Sequence, residues 1–280
     1  MAKPLMILGT SSGAGKSTIA TGLCRIFSGD GFDTVPFKAQ NMSGNAHVLP
    51  DGRQMARSQA IAAYACGIEP EADMNPLLLK YSPGKLEYIV QGQILEGLDQ
   101  PGLVGMKRDL VGSIMESYGR VTGGRDIVVL EGAGSPVEMN LKDQDIGNIS
   151  MAMRVQAPVL LVADIDRGGA FASVYGTLML LPEEERRLIR GIIINRIKGD
   201  ASSFSEVKNE MERITGRPVA GMVPYLALTL EDEDGFTDPQ TGRKPRQERA
   251  VMEEELDRLA EALRQHLDME TIYNMIHRGV

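Results

Sequence analysis

Six short apolar runs punctuate the first 226 residues: PLMILG, TVPFK, DIVVLEG, PVLLVAD, GIIINRI and PVAGMVPY. Within each, apolar residues follow one another without the alternation of a half-exposed strand. Both faces are therefore expected to be buried, as in a parallel sheet covered by helices on each side. Between the runs the spacing switches to the helical period. Residues 16–28 place Ile19, Leu23, Ile26 and Phe27 on one stripe, and residues 202–215 open with Ser203 three positions before Glu206, the spacing of a capping box. The pattern predicts an α/β domain over residues 1–226, doubly wound around a mostly parallel sheet.

From 227 to 248 the periodicity stops. LTLEDEDGFTDPQTGRKPRQ is polar and carries Gly and Pro, so the segment is predicted to be a linker or mobile loop, with Glu231 to Asp234 as a solvated acidic run. Over 249–280 helical spacing returns. Leu256, Leu259, Leu263 and Leu267 share a stripe and Glu254 stands four before Arg258, which predicts one or two helices docking back on the domain.

Composition narrows the classes. The chain of 280 residues is long enough for one large domain with an appendage, and a net charge of -8 gives nucleic acid no general attraction. The apolar run at the amino terminus is too short for a signal-peptide core, and no stretch approaches the roughly 20 residues of a membrane helix. A cytoplasmic protein without membrane partners is expected. Cys24 and Cys66 are the only cysteines, so no disulfide framework or Cys-rich metal site is indicated, and Cys24 is expected to pack in the core. His47, His266 and His277 are too scattered for a metal triad.

The chemistry begins at ILGTSSGAGKST, residues 7–18. A glycine-rich turn between a buried strand and a helix aims backbone N–H groups and the positive end of the helix dipole at phosphate oxygens. Gly9, Gly13 and Gly15 supply the turn, Lys16 the charge and Ser17 a hydroxyl for Mg2+. The first glycine lies one residue earlier than the usual phosphate-loop pattern requires, because position 10 is Thr. DIVVLEGAGSP then delivers Glu131 to the carboxyl end of a strand, where open α/β sheets bind ligands. Glu131 is a candidate Mg2+ ligand; the alternative is a solvated loop carboxylate. Asp143 and Asp145 after the GAGSP loop, and Asp164 and Asp166 after PVLLVAD, could rim the same crevice and hold a second metal or move a proton, or could cap helices and pair with Arg167.

GTSSGAGKS, FKAQNM (37–42), LEGAGSP with MNLKDQDI (139–146), ADIDRGG (163–169) and INRIKGD (194–200) together closely resemble the cobyric acid synthase family. These are corrinoid amidoligases of the dethiobiotin synthetase-like group of P-loop NTPases. The resemblance covers residues 5 to about 226, and it implies that the displaced glycine is a trait of the group. It implies ATP and Mg2+ as cofactors, with adenosylcobyrinic acid a,c-diamide as a corrinoid substrate amidated through an acyl phosphate toward cobyric acid. It assigns nucleotide contacts to Gly13, Ala14, Gly15, Lys16, Ser17, Thr18, Asn195 and Arg196. Asn195 would meet the adenine, although a turn-forming Asn is the plain alternative. Lys38 would lie near the transferred phosphate, unless it is an exposed strand-end lysine. The catalytic candidates are Lys16, Lys38, Asp143 and Asp145, and the metal candidates are Ser17, Glu131 and Asp51. One departure stands out: DGRQMARSQ puts Gln54 where the family pattern leads one to expect a carboxylate ligand, with Asp51 as a substitute.

Members of this family usually carry a glutamine amidotransferase domain with a catalytic Cys. After Leu226 there are too few residues for one, and no Cys follows position 66. The segment DRLAEALRQHLDMETIYNMI resembles the tail that normally follows that domain. Ammonia from solution or from a separate glutaminase subunit is the expected nitrogen source, and a homodimer the expected assembly. Two other readings stay open: a nucleotide-dependent binding or regulatory protein in the manner of partitioning ATPases, and an amidoligase for another tetrapyrrole.

Overall fold

The computed structural model of the chain describes residues 2–44, 46–82, 85–96, 106–199, 204–228 and 249–279. All six apolar runs are strands of one sheet: β1 (Lys3–Gly9), β2 (Thr34–Phe37), β9 (Ile127–Glu131), β10 (Val159–Asp164), β11 (Ile189–Ile197) and β12 (Val219–Pro224). Their spatial order is β12-β11-β10-β1-β9-β2, and every pairing is parallel. Successive residues of the central strands enter opposite cores. Leu5, Ile7, Ile127, Val129, Leu160 and Val162 face one layer, while Met6, Leu8, Val128, Leu130, Val159 and Leu161 face the other. This is why the runs are apolar without alternation.

Helices cover both faces. On one lie α3 (Lys107–Thr122), α4 (Ile149–Val155), α5 (Ala170–Leu180) and α7 (Phe204–Thr215), with the single-turn α6 (Glu183–Arg186) leading into β11. On the other lies α1 (Lys16–Gly29), flanked by α2 (Arg57–Ala65) and by the carboxyl-terminal pair α8 (Arg249–His266) and α9 (Met269–Arg278). The predicted tail helices are thus two and belong to the second layer: Met252, Leu256, Leu259, Leu263, Ile272 and Ile276 are buried there. Each such side chain contributes roughly 1.5–3 kcal/mol when fully buried. Backbone pairing fixes the same segment to β12, with Asp268 N donating to Ala220 O at 2.8 Å. Ser203 of the expected capping box lies outside the described residues, as do residues 229–248 of the linker expected over 227–248.

Residues 40–95 hold a part that the apolar pattern did not announce. A four-stranded sheet in the order β3-β6-β7-β8 (Gln40–Ser43, Leu77–Ser82, Lys85–Val90, Gln93–Leu95) stands beside a hairpin of β4 (Ala46–Val48) and β5 (Gln54–Ala56). These strands are short and mix polar with apolar positions, as partly exposed strands do. Among the described residues no helix is long and apolar enough to cross a membrane.

Candidate functional site

The glycine loop joins β1 to α1, at the carboxyl edge of the sheet. Gly13 and Gly15 have φ of 69° and 98°, in the left-handed region that favours glycine. At Gly15 a side chain is also excluded by space, since a Cβ would lie 2.0 Å from Asn195 Nδ2. The first turn of α1 carries no acidic residue, and no side chain caps it. That leaves its amino-terminal N–H groups suited to an anion. The displaced glycine has a local reason as well: a Cβ on Gly9 would lie 2.9 Å from Cγ of Lys16, whose side chain folds back across that position. Lys16 Nζ donates to the carbonyls of Ser11 and Gly134, each at 3.0 Å, tying the loop to the turn after β9.

Glu131 at the end of β9 is the junction of the site. One carboxylate oxygen accepts from Ser17 Oγ at 2.7 Å and from Lys38 Nζ at 2.7 Å; the other accepts from Gln59 Nε2 at 3.2 Å. Lys38 and Glu131 are 1% and 2% exposed, so the plain alternatives of a surface lysine and a solvated loop carboxylate do not describe them. Lys38 follows β2 directly, and its carbonyl accepts from the buried Asn75 Nδ2 at 2.9 Å. Asn75 Oδ1 accepts from Ala56 N at 3.0 Å, just ahead of α2. One buried amide therefore links the lysine to the helix that presents Gln59.

Gln59, which no sequence motif marks, stands in the place expected of Gln54. Gln54 sits on β5 with Oε1 accepting from Lys80 Nζ at 3.2 Å. Asp51, the expected substitute ligand, lies on an exposed turn. The Arg53 backbone amide, then its guanidinium, hold the Asp51 carboxyl below its usual range. Gln59 is 1% exposed, and its Oε1 is buried with no hydrogen-bond partner among the described residues. An unsatisfied buried carbonyl oxygen of this kind costs about 1–3 kcal/mol. Together with Ser17 Oγ and Glu131 it makes an all-oxygen donor set, which fits a hard cation such as Mg2+.

The aspartates do not converge as expected. Among the described residues no three His, Cys, Asp or Glu are grouped so as to hold a metal ion. Asp145 is occupied in capping α4: Oδ1 accepts from Asn148 N at 2.8 Å and Oδ2 from Ser150 N at 3.0 Å. Asp143 is exposed on the turn Met139–Gln144. Asp164 pairs with Arg196 at 2.8 Å and Arg167 at 3.6 Å, and Asp166 with Lys198 at 2.9 Å. Among the described residues these four carboxylates do not gather into a group that could hold a second metal.

Asn195 and Arg196 close β11 on the other side of the loop. Asn195 Nδ2 donates to Ala14 O at 3.0 Å and so braces the loop from beneath. Arg196 has φ of 62°, unusual for a residue with a side chain, and the register with β12 shifts between Ile194 and Ile197. Thr18 lies one residue beyond Ser17, in the first turn of α1. Both cysteines are buried and free, and burial first, then a hydrogen bond with the Cys66 thiol, pushes the Cys24 thiol well up.

Residues 5–234 match the family model described as the CobQ/CobB/MinD/ParA nucleotide binding domain. Cobyric acid synthase of Streptococcus sanguinis is 46% identical over 245 residues, which are 87% of this chain and 49% of that protein. Cobyric acid synthase of Salmonella typhimurium is 45% identical over 250 residues, 88% of this chain and 49% of that protein. The chain spans about half the length of the curated relatives it matches. Among solved structures, the signal recognition particle receptor FtsY of Elizabethkingia anophelis with GDP aligns over 80% of this chain and 57% of its own, with 18% identity and a TM-score of 0.46, too distant to carry an argument.

Proposed function

Because the chain belongs to the CobQ/CobB/MinD/ParA nucleotide-binding family, we propose that it spends ATP to amidate peripheral carboxylates of adenosylcobyrinic acid a,c-diamide, toward cobyric acid. The observation that carries this reading is the buried junction at Glu131, where the loop hydroxyl of Ser17, the ammonium of Lys38 and the amide of Gln59 meet on one carboxylate. Similarity to cobyric acid synthases supports the choice of substrate.

A carboxylate is a poor electrophile and must be activated first. In the proposed reaction a substrate carboxylate oxygen attacks the γ-phosphorus of ATP, the bond to the ADP oxygen breaks, and an acyl phosphate forms. Ammonia then adds to the acyl carbon, phosphate leaves with the bonding pair, and the proton that the nitrogen loses ends on the departing phosphate. Such transfer depends on position and charge more than on covalent help from the protein. Gly15 and the amino terminus of α1 would hold the phosphates, and Lys16 would exchange its two carbonyl partners for phosphate oxygens. Lys38, fixed by Asn75 from behind, would place a second positive charge at the transferred group. Ser17, Glu131 and Gln59 Oε1 would hold Mg2+, which when bound neutralises charge on the phosphate oxygens. Asn195 would set the loop's shape, and its remaining amide oxygen could meet the base. Both cysteines in these 280 residues being buried, ammonia would be supplied from outside them, from solution or by a glutaminase.

The family description also spans MinD and ParA proteins, so the competing reading is a nucleotide switch that modifies no small molecule. ADP release measured with and without the corrinoid, at saturating ammonium, separates the two. The amidoligase reading expects turnover to require the corrinoid and to fall at least 100-fold in Lys16→Ala, on the order of losing a charged transition-state contact. Corrinoid-independent turnover at the full rate would sink it.

A further inference from the structure

At the opposite edge of the sheet, where β11 and β12 begin, the surface dips into a cavity of about 340 Å³. Arg190 comes from the start of β11, Gly216 and Arg217 from the turn before β12, and Thr271, Asn274 and Arg278 from α9. Three guanidiniums thus line one cavity in a protein whose net charge is -8. Among the described residues none of the three has a carboxylate partner. Of the carboxylates near these segments, Asp268 accepts from Thr271 N at 2.9 Å and from its hydroxyl at 2.6 Å, Glu212 accepts from Val219 N at 2.8 Å, and Glu270 beside Thr271 is exposed and pairs with none of the three arginines among the described residues.

Arg217 is the least satisfied of the group. Its Nε is buried and among the described residues has no hydrogen-bond partner, and its Nη2 donates to the Arg186 carbonyl at 3.4 Å. Burial first, then repulsion from Arg190 and Arg186, hold its guanidinium below the usual range. Arg278 stands in the last turn of α9, where a cation favours the helix dipole, and this accounts for Arg278 alone. It leaves unexplained why Arg190 and the unsatisfied Arg217 Nε share the same cavity. A bound anion would supply the missing acceptor and turn the mutual repulsion into attraction.

We propose that Arg190, Arg217 and Arg278 form a second anion site, separate from the nucleotide loop, that takes a small phosphate-bearing molecule. Planar guanidinium forks match paired oxygens of phosphate, three of them match more than one negative charge, and the side-chain amide of Asn274 adds a neutral donor. The volume lies near the lower end of small-molecule sites and exceeds what a bare phosphate fills. A strand of about six residues, roughly 20 Å, separates this edge from the nucleotide loop, so occupancy of one site does not block the other.

The test is an NMR titration of the isotope-labelled chain with inorganic phosphate, pyrophosphate and citrate. It is run in wild type and in Lys16→Ala, so that effects at the nucleotide loop are told apart. Saturable shifts of the Gly216, Arg217, Thr271 and Asn274 amides in both proteins are expected, with pyrophosphate binding tighter than phosphate. Arg190→Gln and Arg278→Gln, both exposed positions, should each weaken pyrophosphate about tenfold, the worth of one charge-assisted hydrogen bond, without moving the thermal midpoint. Absence of shifts at these amides with every anion, or shifts indifferent to both substitutions, would overturn the site. Tighter binding of citrate than of pyrophosphate would overturn its assignment to phosphate.

Discussion

Glu131 accepts from a hydroxyl, an ammonium and an amide, and both its carboxylate and the Lys38 ammonium are buried. Removing Lys38 would strand a buried carboxylate, a loss of about 3–5 kcal/mol for an ion pair of this burial. Lys38→Met should therefore lower stability by that amount in urea unfolding, and Lys38→Met/Glu131→Gln should be distinctly more stable than the sum of the two single changes. Additivity within about 0.5 kcal/mol would show that the pair is not coupled. Much of this centre was legible beforehand. Lys16, Ser17 and Glu131 are announced by a glycine loop after a buried strand and by a carboxylate at a strand end. Gln59 was not. Its signal is faint: a polar side chain at a fully buried position of RSQAIAAYA, visible only once that stretch is seen to be a helix buried nearly all round. Counting along the chain from FKAQNM pointed to Gln54, but the β4–β5 hairpin turns that residue toward Lys80. For the aspartates the sequence leaves two readings open. A carboxylate next to a helix start is as useful for capping as for chemistry, and Asp145 does the former.

Helix α1 is packed from outside by α8, and at Gly22 the two meet so closely that a Cβ would lie 2.2 Å from Leu263 Cδ1. Alanine there gains about 1 kcal/mol of helix propensity but forces the two helices apart. Overpacking of this kind costs roughly 1–3 kcal/mol. Gly22→Ala is thus expected to lower the thermal midpoint, while Gly29→Ala on the same helix, where a Cβ meets nothing within 4 Å, should not. Equal effects would mean that α8 does not press on α1. The six parallel strands could be read directly because burial on both faces leaves an uninterrupted apolar run. The second sheet could not, since β6 and β7, LLLKYS and KLEYIV, carry charges within the strand and pair Lys80 with Glu87 across the ladder. Short amphipathic strands of this kind share their composition with loops.

Across the whole molecule the carboxyl edge of the sheet gathers the candidate nucleotide site, the amino edge gathers arginines that lack carboxylate partners among the described residues, and carboxylates elsewhere anchor the layers. Asp73 binds Arg120 and Ser117 of α3, and the Arg120 bond above all, against the opposing effect of burial, holds its carboxyl below the usual range. Thr271 does the same for Asp268 at the start of α9. A depressed folded value means that the stabilisation is complete above the unfolded carboxylate range near pH 4 and is lost as pH falls through the folded value. Urea unfolding at pH 7 and pH 3 should therefore show a smaller acid-induced loss in Asp73→Asn than in wild type. The difference should be about 1 kcal/mol at most, since Arg120 is half exposed; an unchanged loss would remove Asp73 from the acid response. The central claim concerns chemistry, and its direct test is mass spectrometry of adenosylcobyrinic acid a,c-diamide after incubation with the 280-residue chain, Mg-ATP and ammonium. Amidated corrinoid is expected with ammonium, none with glutamine in its place because neither buried cysteine can serve as nucleophile, and none with Lys16→Ala. ATP consumed at saturating ammonium with the corrinoid mass unchanged would contradict the account.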